Sequence, residues 1–212
     1  MFETRMLFNP QMKSAYNFVP GIMGLIVILV CAMMTSVSIV REKEVGTMEV
    51  LLVSPIRPSK IIFSKMIPYF VISCLVLIII LLLSYYLLHV PMSGGVWGIF
   101  SLSLLYVLLS LSLGLMVSIV AKTQVMALLI SAMVMMVPML LLSGMLFPIE
   151  NSPIFFQYFS NIVPARWYVE AIRKMMIQGS PFLAVWKEFT ILLGMTVAFL
   201  GVSLIKFNDK LE

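Results

Sequence analysis

The one dense group of ionisable side chains in this 212-residue chain is Arg41, Glu42, Lys43, Glu44 and Glu49, inside REKEVGTMEVLLVSPIRPSK at 41–60. Clustered carboxylates could in principle shuttle protons or hold a metal. The rest of the sequence supplies no partners for such work. His89 is the only histidine and Asp209 the only aspartate, so no HExxH zinc site, Ser-His pair or Asp dyad can be assembled. No GxxxxGK[ST] phosphate loop occurs, and Cys31 and Cys74 lie in apolar runs without CxxC spacing, where packed thiols are expected. No catalytic, cofactor-binding or metal-binding residue is therefore assigned. From the residues alone, the 41–60 group is either a charged loop held among the headgroups or a docking element.

The elements around it are set by composition. Hydrophobic residues make up 62% of the chain and charged ones 11%, which no water-exposed surface could accommodate. An all-α integral membrane protein follows. A spanning helix needs roughly 20 apolar residues, and five runs qualify: 18–40, 61–88, 96–120, 125–147 and 189–205. Short connections at 89–95 and 121–124 make the second, third and fourth spans antiparallel neighbours. The net charge of +5 is scattered between spans, which points to lipid headgroups and away from nucleic acid.

The long stretch from Pro148 to Glu188 carries helix punctuation at Ser152-Pro153 and again at Pro164, the second helix ending near Gly179. Two short re-entrant or interfacial helices are expected there. The second places Trp167, Ala171 and Met175 on an apolar side and Arg166, Glu170 and Lys174 on a charged line; Phe155, Phe156 and Phe159 give the first an aromatic side. Ser110, Gly114 and Ser118 form a small-xxx-small ridge in the third span, read as close helix packing. Pro138 and Gly144 mark a kink or a hinge in the fourth span, both readings being open. Met133, Met135, Met136, Met139 and Met145 either pack or line an adaptable apolar route.

Between Met66 and Ala121 the only ionisable group besides tyrosines and a thiol is His89, and between Thr123 and Ile149 there is none. Ion-coupled carriers and voltage sensors keep charges at membrane depth despite a cost of roughly 2.5–3.5 kcal/mol each. If a chain without them works against a gradient, the energy must come from another polypeptide. Read as a helix, 41–53 is a short amphipathic element continuing out of the first span, with Gly46 in its middle costing about 1 kcal/mol relative to Ala, acceptable where a backbone approaches or the chain bends. Ser54-Pro55 then stops it.

The same residues carry a family resemblance. REKEVGTMEVLLVSPIRPSKIIFSKMIPY resembles the signature of type-2 ABC transporter permeases, R-E-x-E-x-G-T-x-E-x-L-x-x-(S/T)-P, matched by Arg41, Glu42, Glu44, Gly46, Thr47, Glu49, Leu51 and Pro55; Ser64 stands where the family usually has Gly before Lys65. SGMLFPIENSPIFFQYFSNIVPARWYVEAIRK resembles the segment before that family's last span, with Phe147, Pro148, Pro153, Pro164 and Arg173 at corresponding kinds of position.

The resemblance implies the transmembrane subunit of an ATP-driven exporter in a bacterial plasma membrane, working as a homo- or heterodimer with an ABC ATP-binding subunit that carries ATP and magnesium. The first motif is then an ATPase-coupling helix on the cytoplasmic side. Pro148, Pro153, Pro164, Arg166, Glu170 and Arg173 belong to extracytoplasmic gate helices, residues 1–17 to a short extracytoplasmic tail left from a larger ectodomain, and 18–212 to the permease domain. That orientation puts eight Lys and Arg inside and six outside, too small a bias to decide sidedness by itself. With no charged route, a hydrophobic or amphipathic cargo is expected; the alternatives are a membrane anchor or assembly partner of an ATPase that moves nothing, or a truncated permease half.

Overall fold

The computed structural model of the chain describes residues 14–47, 58–145, 149 and 152–209. Within them lie seven α-helices and one 3-10 turn, with no strand: α1 Ser14–Val45, α2 Pro58–Tyr86, α3 Val96–Val120, α4 Gln124–Leu142, α5 Ile154–Ser160, α6 Pro164–Met176, a 3-10 turn Phe182–Val185 and α7 Trp186–Asp209. Five segments are long and apolar enough to cross a membrane: Phe18–Val45, Ile62–Tyr86, Val96–Val120, Gln124–Leu142 and Phe182–Lys206. They coincide with the five runs read from sequence.

Two ends differ. The fourth span stops at Leu142, five residues before Phe147, because Gly144 adopts φ 74 and Ser143–Met145 bend away. Pro138 stays inside α4, as Pro20 and Pro68 do inside α1 and α2. The last span starts earlier than Phe189, since Pro181 opens a 3-10 turn leading directly into Trp186.

The helices are not equivalent. In α3 the apolar window is 78% buried, against 22% for α2, α4 and the last span. It is the central pillar, packed against α1 along the small-residue ridge. A Cβ on Gly114 would lie 2.7 Å from the Ala32 carbonyl oxygen and 2.9 Å from Thr35 Cβ, so only glycine permits this approach. The buried ridge serines satisfy their hydroxyls within α3, Ser110 on the Tyr106 carbonyl and Ser118 on that of Leu115. Polar contacts fasten α1 to its other neighbours: Cys31 Sγ donates to Ser73 Oγ of α2 at 3.1 Å, and the Ser36 and Ser131 hydroxyls of α1 and α4 are 2.9 Å apart. In hydrocarbon such bonds are worth about 0.6 kcal/mol each, so they set register more than stability.

The methionines of α4 divide between faces. Met135, Met139 and Met145 are buried, whereas Met133 and Met136 point outward. No single methionine-lined route results.

Candidate coupling and gating sites at the two ends of the bundle

The end of the bundle carrying Arg41–Thr47 is here the basal end and the other the apical end. At the basal end α1 runs on to Val45, past its apolar part, so its last turn projects beside the termini of three helices. Successive residues of a helix point about 100° apart, and Glu42, Lys43 and Glu44 thereby face three different neighbours. Glu42 forms an ion pair with Lys65 of α2. Lys43 Nζ donates to the Ser118 carbonyl in the last turn of α3. Glu44 Oε2 accepts from the Gln124 backbone N–H at 3.1 Å and from its side-chain amide at 2.9 Å, at the first residue of α4.

The signs fit the helix termini. A cation sits on the carbonyl end of α3 and an anion on the amide end of α4, where unpaired backbone groups and the helix dipole favour those charges. Thr123 completes the α4 cap by accepting from the Met126 N–H at 3.2 Å.

Gly46 has φ 79 and breaks the helix there, with Thr47 helical again and its hydroxyl 3.3 Å from the Glu42 carbonyl. The uninterrupted helix expected through Gly46 is therefore not formed: the glycine supplies a left-handed turn rather than a weak helical position. Among the described residues a Cβ on it would meet nothing within 4 Å, and the requirement seen there is the left-handed φ. Glu49, Leu51 and Pro55 lie outside the described residues, as does Pro148 at the apical end.

Beside this turn α1, α2 and α4 enclose an open groove of about 780 Å³. Val30, Met33, Met34 and Leu128 form its apolar wall, and Arg41, Glu42, Lys65 and Gln124 its polar mouth. The sequence leaves the Met133–Met145 cluster as packing or route lining; the methionines that line this groove, Met33 and Met34, are on α1.

At the apical end α5 and α6 fold back on the bundle. Pro153 precedes α5 at its N-cap and Pro164 opens α6. The outward Phe155, Phe156 and Phe159 keep α5 at the surface, and α6 lays one face on the bundle, with Ala165, Tyr168, Ala171, Ile172, Met175 and Met176 buried. Of the apolar side read from sequence, Ala171 and Met175 are buried and Trp167 is partly buried at the edge of that face. Tyr168 stacks on Tyr106 of α3 with centroids 3.9 Å apart and planes within 6°, and its hydroxyl lies 3.0 Å from Ser103 Oγ. Burial drives the Tyr168 phenol well above its usual pKa, so it stays neutral.

Gly94, just before α3, closes on the far end of α6. The Gly94 N–H donates to the Met175 carbonyl at 2.9 Å, and a Cβ on Gly94 would come within 2.5 Å of that oxygen.

The charged line on α6 is only partly internal. Lys174 Nζ bonds Glu170 Oε1 and Glu188 Oε1, each at 2.7 Å. Burial works against the Lys174 charge, yet the hydrogen bonds from Glu170 and Glu188 outweigh it and its pKa is raised. Arg166 turns back to the Gln157 carbonyl and Asn161 Oδ1 of the α5 end. Arg173 Nη2 donates to the Gly144 carbonyl at 3.2 Å, tying α6 to the bend after α4. The sequence assigns no role to Lys65, Gln124, Tyr168 or Glu188, because each gains its role from a partner on another helix.

The description "ABC-2 family transporter protein" belongs to the family whose sequence model matches residues 1–205. The chain belongs to the ABC-2 transporter family. It is similar to the "Probable multidrug ABC transporter permease YbhS" of Escherichia coli strain K12, 30% identical over 210 residues covering 99% of this chain and 56% of that protein. The "Probable multidrug ABC transporter permease YbhR" of the same strain is 28% identical over 96% of this chain and 55% of its own length. "ABC transporter G family member 20" of Dictyostelium discoideum is 29% identical over 95% of this chain and 28% of its own length. The chain thus spans about half the length of the bacterial relatives. No solved structure matches it.

Proposed function

We propose that the chain is the membrane-spanning subunit of an ABC exporter, driven by a separate ATP-binding subunit that docks on the basal segment from Arg41 toward Pro55. The observation carrying this reading is the set of bonds made by Glu42, Lys43 and Glu44 to α2, α3 and α4. Through them a push on one turn is delivered to four helices, which is what a lever between a soluble motor and a bundle requires. Nucleotide and magnesium stay on the partner, and a second permease chain completes the assembly in the bacterial inner membrane. The basal end is cytoplasmic and the apical end is the extracytoplasmic gate.

A hydrophobic or amphipathic cargo suits the groove between α1, α2 and α4, whose wall is apolar and whose mouth carries Arg41 and Lys65. The names of the Escherichia coli relatives include multidrug permeases, in keeping with that chemistry.

The test is reconstitution of the complete transporter in vesicles, with ATP hydrolysis and dye accumulation measured together. Glu44→Ala should leave hydrolysis running while export per ATP falls severalfold. Hydrolysis indifferent to every amphipathic probe would instead leave a membrane anchor for an ATPase.

A further inference from the structure

The apical end carries a second cavity that the coupling reading does not use. It is about 440 Å³, within the size range of small-molecule sites, and lies between the bend after α4 and the exposed side of α6. Arg166, Arg173 and Lys174 line it together with Glu170, Gln157 and Gln178. Lys174 is committed to Glu170 and Glu188. Neither guanidinium forms an ion pair among the described residues.

Among the described residues both guanidiniums hydrogen-bond to neutral groups only, and the Glu170 carboxylate, shared with Lys174, is the nearby countercharge of Arg173. Arg173 is partly buried, donates Nη2 to the Gly144 carbonyl, and keeps Nε buried without an acceptor among the described residues. Arg166 uses Nη1 alone on Gln157, Ser160 and Asn161. Two fixed forks of N–H donors with excess positive charge fit the oxygens of a phosphate, which accept from several directions at once. Gln178 adds a neutral amide at the rim, while the Gln157 amide is already donated to the Ser152 carbonyl.

The surroundings point to where the phosphate comes from. Ile154, Phe155, Tyr158, Phe159 and Ile162 stand exposed on and beside α5, a belt that sits at the headgroup layer of a bilayer. We propose that this apical pocket binds the phosphate of an amphiphile, with Arg166 and Arg173 as its two ligating side chains. The phosphate chemistry is common to a lipid headgroup and to free phosphate. Occupancy would bridge α6 to the Gly144 bend, so the site is placed to sense lipid at the gate.

The experiment uses the whole chain in dodecylmaltoside, with binding followed by native mass spectrometry and by change in melting temperature. Three probes are compared: dioctanoyl phosphatidylglycerol, dioctanoylglycerol with the same chains and no phosphate, and inorganic phosphate. Phosphatidylglycerol is expected to bind about tenfold or more tightly than dioctanoylglycerol, and Arg166→Gln or Arg173→Gln to remove about that factor. Lys206→Gln, at the other end of the bundle, should change nothing. If inorganic phosphate binds alone and competes, the site takes free phosphate; if only the phospholipid binds, it takes a headgroup. Equal affinity for the two lipids, or unaltered phospholipid binding in Arg166→Gln, overturns the proposal. The probe comparison on the unsubstituted chain decides the matter even if Arg173→Gln fails to fold.

Discussion

Glu44 and Gln124, eighty positions apart in sequence, meet so that one carboxylate oxygen accepts both the backbone N–H and the side-chain amide of the glutamine, at 3.1 and 2.9 Å. The bond ties the end of α1 to the start of α4. Glu44→Gln retains an acceptor without the charge and should fall between wild type and Glu44→Ala in export per ATP. Identical coupling in all three would show that α4 is not driven through this contact.

The Glu42–Lys65 ion pair joins α1 to α2 at a partly exposed site, 22% and 38% accessible respectively. Such pairs contribute up to about 1 kcal/mol. Glu42→Lys should lower export, and the exchange Glu42→Lys with Lys65→Glu should restore most of it. Failure of the double exchange to recover would mean that Glu42 acts on the ATPase directly and not through α2.

Two glycines should respond differently to alanine. At Gly46 the cost comes from φ 79, about 1 kcal/mol, and Asn should be tolerated better than Ala. At Gly114 the new methyl meets the backbone of Ala32, so α1 and α3 must separate at a cost of about 2 kcal/mol. Thermal melts of the two variants in one detergent check the order, and Asn should give no rescue at Gly114.

Lys174 neutralises Glu188, whose side chain is only 4% exposed. Lys174→Met leaves that carboxylate buried and unpaired, a loss of about 3 kcal/mol, which Lys174→Met with Glu188→Gln should largely reverse. The folded pKa of Lys174 is raised, so its contribution is complete below the ordinary lysine value and disappears only as pH climbs through the raised one. Stability measured between about pH 6 and 9 should show no step from this group.

Tyr168 tests the packing of α6. Tyr168→Phe forfeits the hydroxyl contact with Ser103, about 1 kcal/mol, while Tyr168→Ala opens a void beside Tyr106 and costs about 3 kcal/mol or more. If the two variants melt together, the stacking carries no weight.

The five spans were legible because a 20-residue apolar run has few other uses, and the two short apical helices because Pro153 and Pro164 announce their starts. The position of the basal charges was equally visible, but their partners were not. Glu44 reads as one more exposed carboxylate until folding brings Gln124 to it, and a glycine such as Gly46 looks the same in sequence whether it weakens a helix or turns one. The inward face of α6 was legible at Ala171 and Met175 but not in its first turn. Trp167 and Tyr168 are both large and amphipathic, and only the ring of Tyr106 on another helix decides which goes in.

Because α3 is enclosed by its neighbours, its solvent is protein and not lipid, and four of its serines rest there on carbonyls or on Tyr168 without touching the bilayer. Changing detergent or acyl-chain length acts first on α2, α4 and α7 and reaches the pillar only through them. In deuterated buffer the α3 amides should consequently be the last to exchange, long after those of the outer helices have equilibrated.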